Sequence, residues 1–452
     1  MMQKSSFDSR VFYKSVLALM LPMAAQNLIN VGISSLDVIM LGKVGETALS
    51  ASSLANQIQF IMTMIFFGVT SGACVLTAQY WGKGDRRTIE KVIGIALRIS
   101  LVTGILFTLG ALLFPGPLMC IFTNEPEVIA EGVKYLRIVG YSYLFMSITM
   151  VYLNIMRSVE KVIISTVVYS VSLVTNGVLN AIFIFGLLGL PAMGISGAAL
   201  ATSIARLVEL VIVLIYAYRP GQPVRLQFSD IFTRDPQLFR DFLRYSIPVT
   251  LNEMMWGGGA SMITAVIGHM GQSAVAANSV AQVTRQLATV VAFGIANATA
   301  IMIGKAIGEG NEKKAEDFGR RFVWLTVIAG VIGGVVVLCV SPIASAALTL
   351  TDQAREYLTF MMFVMSYFVI GQAFNTTMVV GVFRAGGDTK FGLIEDTVAM
   401  WGVSILIGFL GAFVFGWSVQ AVYVVLLSDE IIKIPLNCWR YKTKVWLRNV
   451  TR

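Results

Sequence analysis

Histidine is all but missing from this chain, with His269 alone among 452 residues. There is no H-E-x-x-H pair and no G-x-S-x-G turn, so a membrane-embedded metallo- or serine hydrolase is a poor fit and the chain does not read as an enzyme. Cysteine is scarce too. Cys74, Cys120, Cys339 and Cys438 lie in or beside apolar stretches without C-x-x-C spacing, which implies neither a disulfide framework nor a zinc site. No cofactor and no permanent metal is expected. Charged residues make up only 13% of the chain against 56% hydrophobic, and the mean hydropathy is +0.76. A water-soluble fold of this size cannot hide that much apolar surface, so the chain reads as an all-α integral membrane protein with the lipid bilayer as its main partner. The net charge of +9 is dispersed over short loops with no aromatic and basic platform, which argues against nucleic acid. The N-terminus lacks a cleavable signal pattern. Its apolar run begins near Val11, passes residue 40 without a small-residue cleavage site, and reads as a first span.

What the chain does have is a repeat. A shift of 226 residues lays Leu21 to Glu90 on Ile247 to Glu316 without a gap. The matches fall on punctuation: Pro22 on Pro248, Gly42 on Gly268, Gly45 on Gly271, Gly68 on Gly294, Gly82 on Gly308 and Gly84 on Gly310. A proline and five glycines in register ask for the same backbone twice. A duplicated membrane domain points toward a transporter.

Apolar segments long enough to cross about 30 Å of hydrocarbon occur near 13–40, 48–81, 91–114, 128–156, 161–188, 194–218, 241–268, 275–305, 321–348, 356–383, 391–416 and 418–440, twelve in all and six per half. Counting Lys and Arg by alternate loops, with the adjoining span ends and both termini, puts 27 on one side and four (Lys43, Lys134, Arg137 and Arg355) on the other. The positive-inside rule then predicts a multi-pass protein of the cell membrane with both termini cytoplasmic. Because each repeat holds an even number of spans, the halves are expected to be related by an axis along the membrane normal, with the substrate path between two lobes. Residues 1–218 form the expected first lobe, 219–240 a cytoplasmic linker, and 241–452 the second lobe with its tail. Within the charged loop, Pro236 to Arg244 has helical spacing that suits either an interfacial helix or the first turns of span seven.

Ionisable groups deep in spans are costly and are functional candidates by default. The acids are Asp37 in span one, Glu253 in span seven, Glu395 and Asp396 in span eleven, and Asp429 and Glu430 in span twelve. The bases are Arg98, Arg206 and Arg285. At about 1.5 Å rise per residue, Glu253, Asp396 and Glu430 reach comparable depth, compatible with one acidic cluster. Each has a structural alternative. Asp37 could be an interfacial carboxylate, Glu253 could be neutralised by Arg285 from the next span, and Asp396 and Glu430 could serve hydrogen bonding alone. Asp388 in a Gly-Gly-Asp-Thr turn is expected to cap span eleven, and His269 is expected in an external loop. Met and Phe, 22 and 27 residues, mostly face lipid or pack helices, though an adaptable surface of this kind suits a promiscuous cavity.

Several segments together resemble the multidrug and toxic compound extrusion (MATE) transporters. They are Leu21-Pro-Met with Asp37 and Gly42, Gln79-Tyr-Trp-Gly-Lys-Gly84, Asn176-Gly-Val-Leu-Asn180, Phe183-Ile-Phe-Gly186, Gly194 to Thr202, and Arg384-Ala-Gly-Gly-Asp-Thr-Lys390. The resemblance implies a V-shaped pair of six-helix lobes and export of a small organic, cationic substrate driven by inward Na+ or H+. It implies a first-lobe cation site at Asp37 with Asn176 and Asn180, or a second-lobe site at Glu253. Transient Na+ at either is compatible with this, and a monomer is expected. Some relatives carry a carboxylate where this chain has Asn180. Others pair the span-seven glutamate with a span-ten aspartate, where this chain has only Asn375, so Asp396 is expected to partner Glu253.

A buried carboxylate prefers to hold something positive, whether H+, Na+ or a cationic drug. Competition between these occupants, each favouring a different lobe arrangement, gives antiport. Pro22 and Pro248 each remove a hydrogen bond within the first helix of a lobe and offer places to bend. The alternative on the same fold is a flippase or exporter of a lipid-linked or other non-drug substrate, disfavoured because intramembrane acids outnumber bases.

Overall fold

The computed structural model describes residues 9–347 and 350–451, all helix and loop with no strand among them. Lys4 and Arg452, counted above among the cytoplasmic cations, lie outside the described residues. The first half contains α1 (Ser9–Val44), α2 (Glu46–Lys83), α3 (Arg86–Leu113), the short α4 (Pro115–Cys120), α5 (Pro126–Val139), α6 (Ser142–Ser158), α7 (Ile163–Phe185) and α8 (Ile195–Ala217). The second contains α9 (Pro236–Gly268), α10 (Gln272–Gly308), α11 (Glu312–Ala347), α12 (Asp352–Thr376), α13 (Thr389–Glu395), α14 (Leu406–Phe413), α15 (Val419–Leu426) and α16 (Asp429–Lys442). Wider π turns over Thr377–Phe383 and Asp396–Ile405 continue α12 and join α13 to α14.

Nine helices among the described residues are apolar and long enough to cross a membrane, and α5 with α6, bent by 53°, make ten. The two expected spans outside that test are α9, 33 residues long, and the pair α15 and α16, broken around Leu427 and Ser428. α15 and α16 are each too short alone, 8 and 14 residues, and α9 is rich in Gly, Ser, Thr and Asn as well as carrying Glu253.

The repeat is visible in the backbone. Gly84 and Gly310 turn at φ 81° and 74°, where a side chain would be strained. The next residue in each half caps a helix. Asp85 accepts the Thr88 amide at 3.0 Å, and Asn311, its counterpart, accepts the Lys314 amide at 3.0 Å. The glycines before these turns make reciprocal contacts. Gly82 lies against the Lys305 carbonyl and Gly308 against the Gln79 carbonyl, too close for any side chain. Gln79 and Lys305 are themselves counterparts under the 226-residue shift.

The chain forms two compact units. One joins Met1–Ala24 and Ala78–Gly84 to Ile247–Arg452, and the other comprises Ala25–Thr77 and Asp85–Ser246. Compared with the lobe boundaries expected from the sequence, the first turns of α1 and α9 are exchanged. In the first-named unit, Phe12 packs on Phe318 and Phe322 at 5.1 Å, and Met20 abuts Gly294. In the other unit Ser246, the counterpart of Met20, abuts Gly72. Both divisions fall within two residues of Pro22 and Pro248, which lie inside continuous helices. Each proline leaves a carbonyl one turn back, Ala18 or Arg244, without its usual helical donor.

The linker is anchored rather than loose. A 3-10 turn over Phe228–Phe232 lies on α3, where Arg87 grips Asp230 at 2.8 and 2.9 Å. Arg98 reaches the Ile231 and Thr233 carbonyls at 2.7 and 2.9 Å, so this candidate intramembrane cation serves the linker. Asp235 caps α9 by accepting the Leu238 amide at 3.1 Å. Pro236 to Arg244 is therefore the start of span seven, not a separate interfacial helix. The C-terminal tail is also held down. Trp446 is buried and stacked on Tyr441 at 5.5 Å, and Gln79 bonds Ala385, Arg448 and Val450.

Candidate functional site

Each unit holds a group of buried polar side chains at membrane depth. In the unit built from the first half, α7 places Asn176 and Asn180 one turn apart on a face turned toward α1. Asn180 donates to Asp37 at 2.5 Å and to the Asn176 carbonyl oxygen at 3.1 Å, and Asn176 donates to the Thr202 hydroxyl at 3.3 Å. Both asparagines are buried while Asp37 is half-buried. The amide is thus turned to donate to the carboxylate. Arg206 is within electrostatic reach of Asp37, but its guanidinium is spent on Glu209 at 2.8 and 3.1 Å. The carboxylate keeps spare acceptor capacity. The three residues proposed together from sequence do meet in space.

In the unit built from the second half the arrangement differs from expectation. Glu253 is not neutralised by Arg285. It pairs with Arg384 at 2.7 Å, whereas Arg285 donates to Gln282 at 2.8 Å and lines a small cavity with Asp429 and Glu430. Nor does Asp396 touch Glu253. Asn252 stands between them, accepting from Arg384 at 2.8 Å and donating to Asp396. Arg384, the residue that follows span ten, supplies a cation where Asp396 was expected as partner.

The centre of this group is a residue of the last expected span that the sequence reading counted with the cytoplasmic cations rather than among the charges inside spans. Lys433 is 3% exposed and bonds Asp396 at 2.7 Å and Asp429 at 2.8 Å, with Glu430 at 3.9 Å. The signal was present in the sequence. Asp429-Glu430-x-x-Lys433 places the lysine three and four residues after two acids, the spacing of facing helical side chains. The break before α16 matters here, because Asp429 and Glu430 occupy its first turn and meet the positive end of a helix dipole. Asp396 opens a π turn, a local rearrangement frequent at functional sites. Asn375 lies across from them and donates to both the backbone oxygen and Oε2 of Glu430 at 2.7 Å, and Asn437 donates to Asn375 at 2.9 Å.

Asp388 does not cap α13. Its carboxylate grips Arg440 at 2.7 and 3.0 Å, tying the turn to α16. His269 is exposed at the end of α9 and bonds back to the Ala265 carbonyl at 2.8 Å. Among the described residues, no group of three or more His, Cys, Asp or Glu is arranged to hold a metal ion.

Comparison with known proteins places this geometry. The chain is 25% identical over 435 residues to a probable multidrug resistance protein NorM of Rhizobium meliloti, covering 95% of this chain and 93% of that one. It is 24% identical over 418 residues to a probable multidrug resistance protein YoeA of Bacillus subtilis, covering 90% and 88%. Its fold matches a MOP-superfamily transporter from Pyrococcus furiosus with a TM-score of 0.86 at 18% identity, over 95% of both chains. The MatE family model matches residues 22–182 and 248–410, one copy per repeat. The chain therefore belongs to the MatE family of multidrug and toxic compound extrusion (MATE) membrane transporters.

Proposed function

We propose that this transporter is a secondary antiporter that exports small organic cations from the cell in exchange for H+ or Na+. The observation that carries this reading is Asp37, a half-buried carboxylate at membrane depth toward which the Asn180 amide is turned to donate. Such a group attracts one positive occupant at a time, and exchange of occupants is antiport. The second-half group around Glu253, Asp396 and Lys433 supplies a further set of ionisable side chains, linked by Asn252. Alternation between two arrangements uses the bends that Pro22 and Pro248 permit. The names of the relatives support multidrug export. No cofactor is required, and the working protein is a monomer in the cell membrane with cytoplasmic termini.

The flippase alternative needs several cations available to an anionic headgroup. Arg98 is engaged by the linker, Arg206 by Glu209, Arg384 by Glu253 and Lys433 by three carboxylates, which favours a cationic cargo. Proteoliposomes loaded with a fluorescent organic cation test the reading. A proton or sodium gradient imposed separately should drive transport, and transport indifferent to both gradients would overturn antiport.

A further inference from the structure

The turn after span ten, 384–388, is gripped along its whole length. At its start the buried Arg384 donates to Asn252 Oδ1 at 2.8 Å and to Glu253 at 2.7 Å. Its own backbone closes it, with the Gly387 amide on the Arg384 carbonyl and the Asp388 amide on the Phe383 carbonyl, both at 2.9 Å, and Gly387 in the left-handed region at φ 79°. Three further grips come from outside. Gln79 donates to the Ala385 carbonyl at 2.7 Å, Arg440 holds Asp388, and the Trp446 carbonyl sits on Gly386 where a side chain has no room.

The segment that brings Trp446 there, 443–451, is itself firmly anchored. Lys444 adopts φ 56°, a conformation that strains a residue with a side chain, and is held in it by two 2.8 Å bonds to Glu316. Trp446 is 1% exposed, lies nearly parallel to the Tyr441 ring at 5.5 Å, and donates its Nε1 hydrogen to the Tyr441 carbonyl at 3.1 Å. The fully buried Gln79 donates to the Arg448 carbonyl at 3.0 Å and accepts the Val450 amide at 2.7 Å, and Asn449 donates to the Ile307 carbonyl at 3.3 Å. Ordering such a segment costs conformational entropy that these contacts have to overcome. Among the described residues it makes no hydrogen bond or ion pair with Asn252 or Glu253. Its grip falls instead on Ala385 and Gly386, the two residues that directly follow Arg384.

We infer that the segment 443–451 is a positioning element of the second-half site, with Trp446 as its anchor: by clamping Ala385 and Gly386 it fixes the backbone from which Arg384 reaches Glu253. An arginine side chain is long and freely jointed, so where its guanidinium points depends on how well its own backbone is held. The line of contacts runs from Tyr441 and Trp446 through Gly386 to Arg384, and from there to Glu253 and, through Asn252, to Asp396. Gln79 reinforces it, because one NH2 group bonds the turn at Ala385 and the segment at Arg448 together. Without the segment the turn keeps its own two bonds and its tie to Arg440, but the residues beside Arg384 lose their clamp. Glu253 and Asn252 then face a cation that is no longer held in one place. The consequence for transport rests on the antiport reading, whereas the positioning of Arg384 does not.

A double-mutant cycle on thermal unfolding of the full-length protein in lipid nanodiscs tests this. Trp446→Ala should lower the unfolding temperature by several degrees, and Trp446→Phe, which keeps a ring to stack on Tyr441, should recover most of the loss. Trp446 and Glu253 do not touch, so a merely structural tryptophan would add its loss to that of Glu253→Gln in full. A positioning tryptophan should instead lose about half of its effect in the Glu253→Gln background, where Arg384 has no charge to be aimed at. Phe12→Leu, in the same unit but outside this line of contacts, should add in full. Gly386→Ala, which drives a methyl group into the Trp446 carbonyl, should reproduce both the loss and the coupling. Additive losses for Trp446→Ala and Glu253→Gln, or a Trp446→Ala protein as stable as wild type, would overturn the proposal. If Trp446→Ala does not fold, ending the chain after Leu447 keeps the tryptophan, removes Arg448 and Val450 from Gln79, and must show the same coupling to Glu253→Gln. Gradient-driven transport by the same variants in proteoliposomes keeps the readings apart. On the antiport reading Trp446→Ala slows transport in wild type and slows it no further in Glu253→Gln, while coupled unfolding in a protein without gradient-driven transport would support the positioning role and remove the antiport function.

Discussion

Replacing Lys433 by methionine keeps the length and apolar stem of the side chain and removes its charge. The lysine holds Asp396 at 2.7 Å and Asp429 at 2.8 Å, with Glu430 at 3.9 Å, all nearly inaccessible to water. At an effective dielectric of about 20, unit charges about 4 Å apart attract by about 4 kcal/mol. Desolvation offsets most of this gross attraction while the cluster is intact. Once the cation is gone the offset works the other way, because the buried acids remain with no counter-charge. Breaking such a pair by deleting one partner costs about 3 to 5 kcal/mol, a large fraction of the total stability of an ordinary protein. Lys433→Met should therefore unfold at markedly lower temperature in detergent, followed with a thiol dye that reports exposure of the half-buried Cys74 and Cys438. Adding Asp396→Asn to Lys433→Met should recover part of the loss, with a coupling of about 0.5 to 3 kcal/mol between the two sites. Adding Asp37→Asn, in the other unit, should recover nothing. A Lys433→Met protein as stable as wild type, or one rescued equally by both second changes, would show that the lysine does not balance these carboxylates.

Three other outcomes are expected. Asp37→Asn should abolish gradient-coupled export while leaving expression and unfolding temperature near wild type, and near-normal drug resistance in cells would mark Asp37 as merely interfacial. Glu253→Gln and Asp396→Asn should each impair export, and because Asn252 joins them the double variant should be little worse than the weaker single one; multiplicative losses would separate them. The backbone amide of Leu238 holds the Asp235 carboxyl below the usual aspartate range, with Lys91 contributing. Its capping of α9 therefore stabilises the protein above about pH 4, the unfolded aspartate value, and is lost as the pH falls through the lower folded value. Asp235→Ala should cost about 1 kcal/mol at neutral pH, and the difference from wild type should shrink in acid; a difference independent of pH would refute the capping role.

Much of this architecture was legible because it is written in residues whose backbone demands are local. Gly84 and Gly310 announce a left-handed turn wherever they sit, and Pro22 and Pro248 mark a missing hydrogen bond whatever surrounds them. The Asp37 site was legible because the family resemblance placed Asp37 beside Asn176 and Asn180, whose spacing of four puts both amides on one face. The second-half site was not, because the chain lacks the span-ten aspartate of the pattern it resembles and no local rule says which residues from other spans take its place. Arg285 was the nearest of the intramembrane bases to Glu253 in sequence order, yet Arg384 reaches it in space. Lys433 sits within a segment expected to cross the membrane, but it was tallied with the cytoplasmic cations that set topology. Its burial follows from the break around Ser428, which lets α16 begin inside the unit with its acids in the first turn.

The repeat also separates scaffold from chemistry. Gln26 and Asn252 are counterparts under the 226-residue shift, each four residues after its proline. Gln26 ties α1 to the start of α7 through the Val162 carbonyl and the Thr166 hydroxyl, at 3.2 and 3.0 Å. Asn252 ties α9 to α13 through the Gly392 carbonyl at 3.2 Å. Both halves thus use an amide to brace the helix just beyond its proline, which fixes the helix on one side of the point where it can bend. The ionisable groups do not follow the repeat. Asp37 corresponds to Ile263, and Glu253 to Asn27. A duplicated frame that kept its prolines, capping residues and bracing amides but placed its carboxylates differently in each half gives each unit its own set of ionisable side chains. On the proposed antiport reading, two inequivalent sites on equivalent frames would let one half release a cation under conditions where the other retains it, which two identical sites would not.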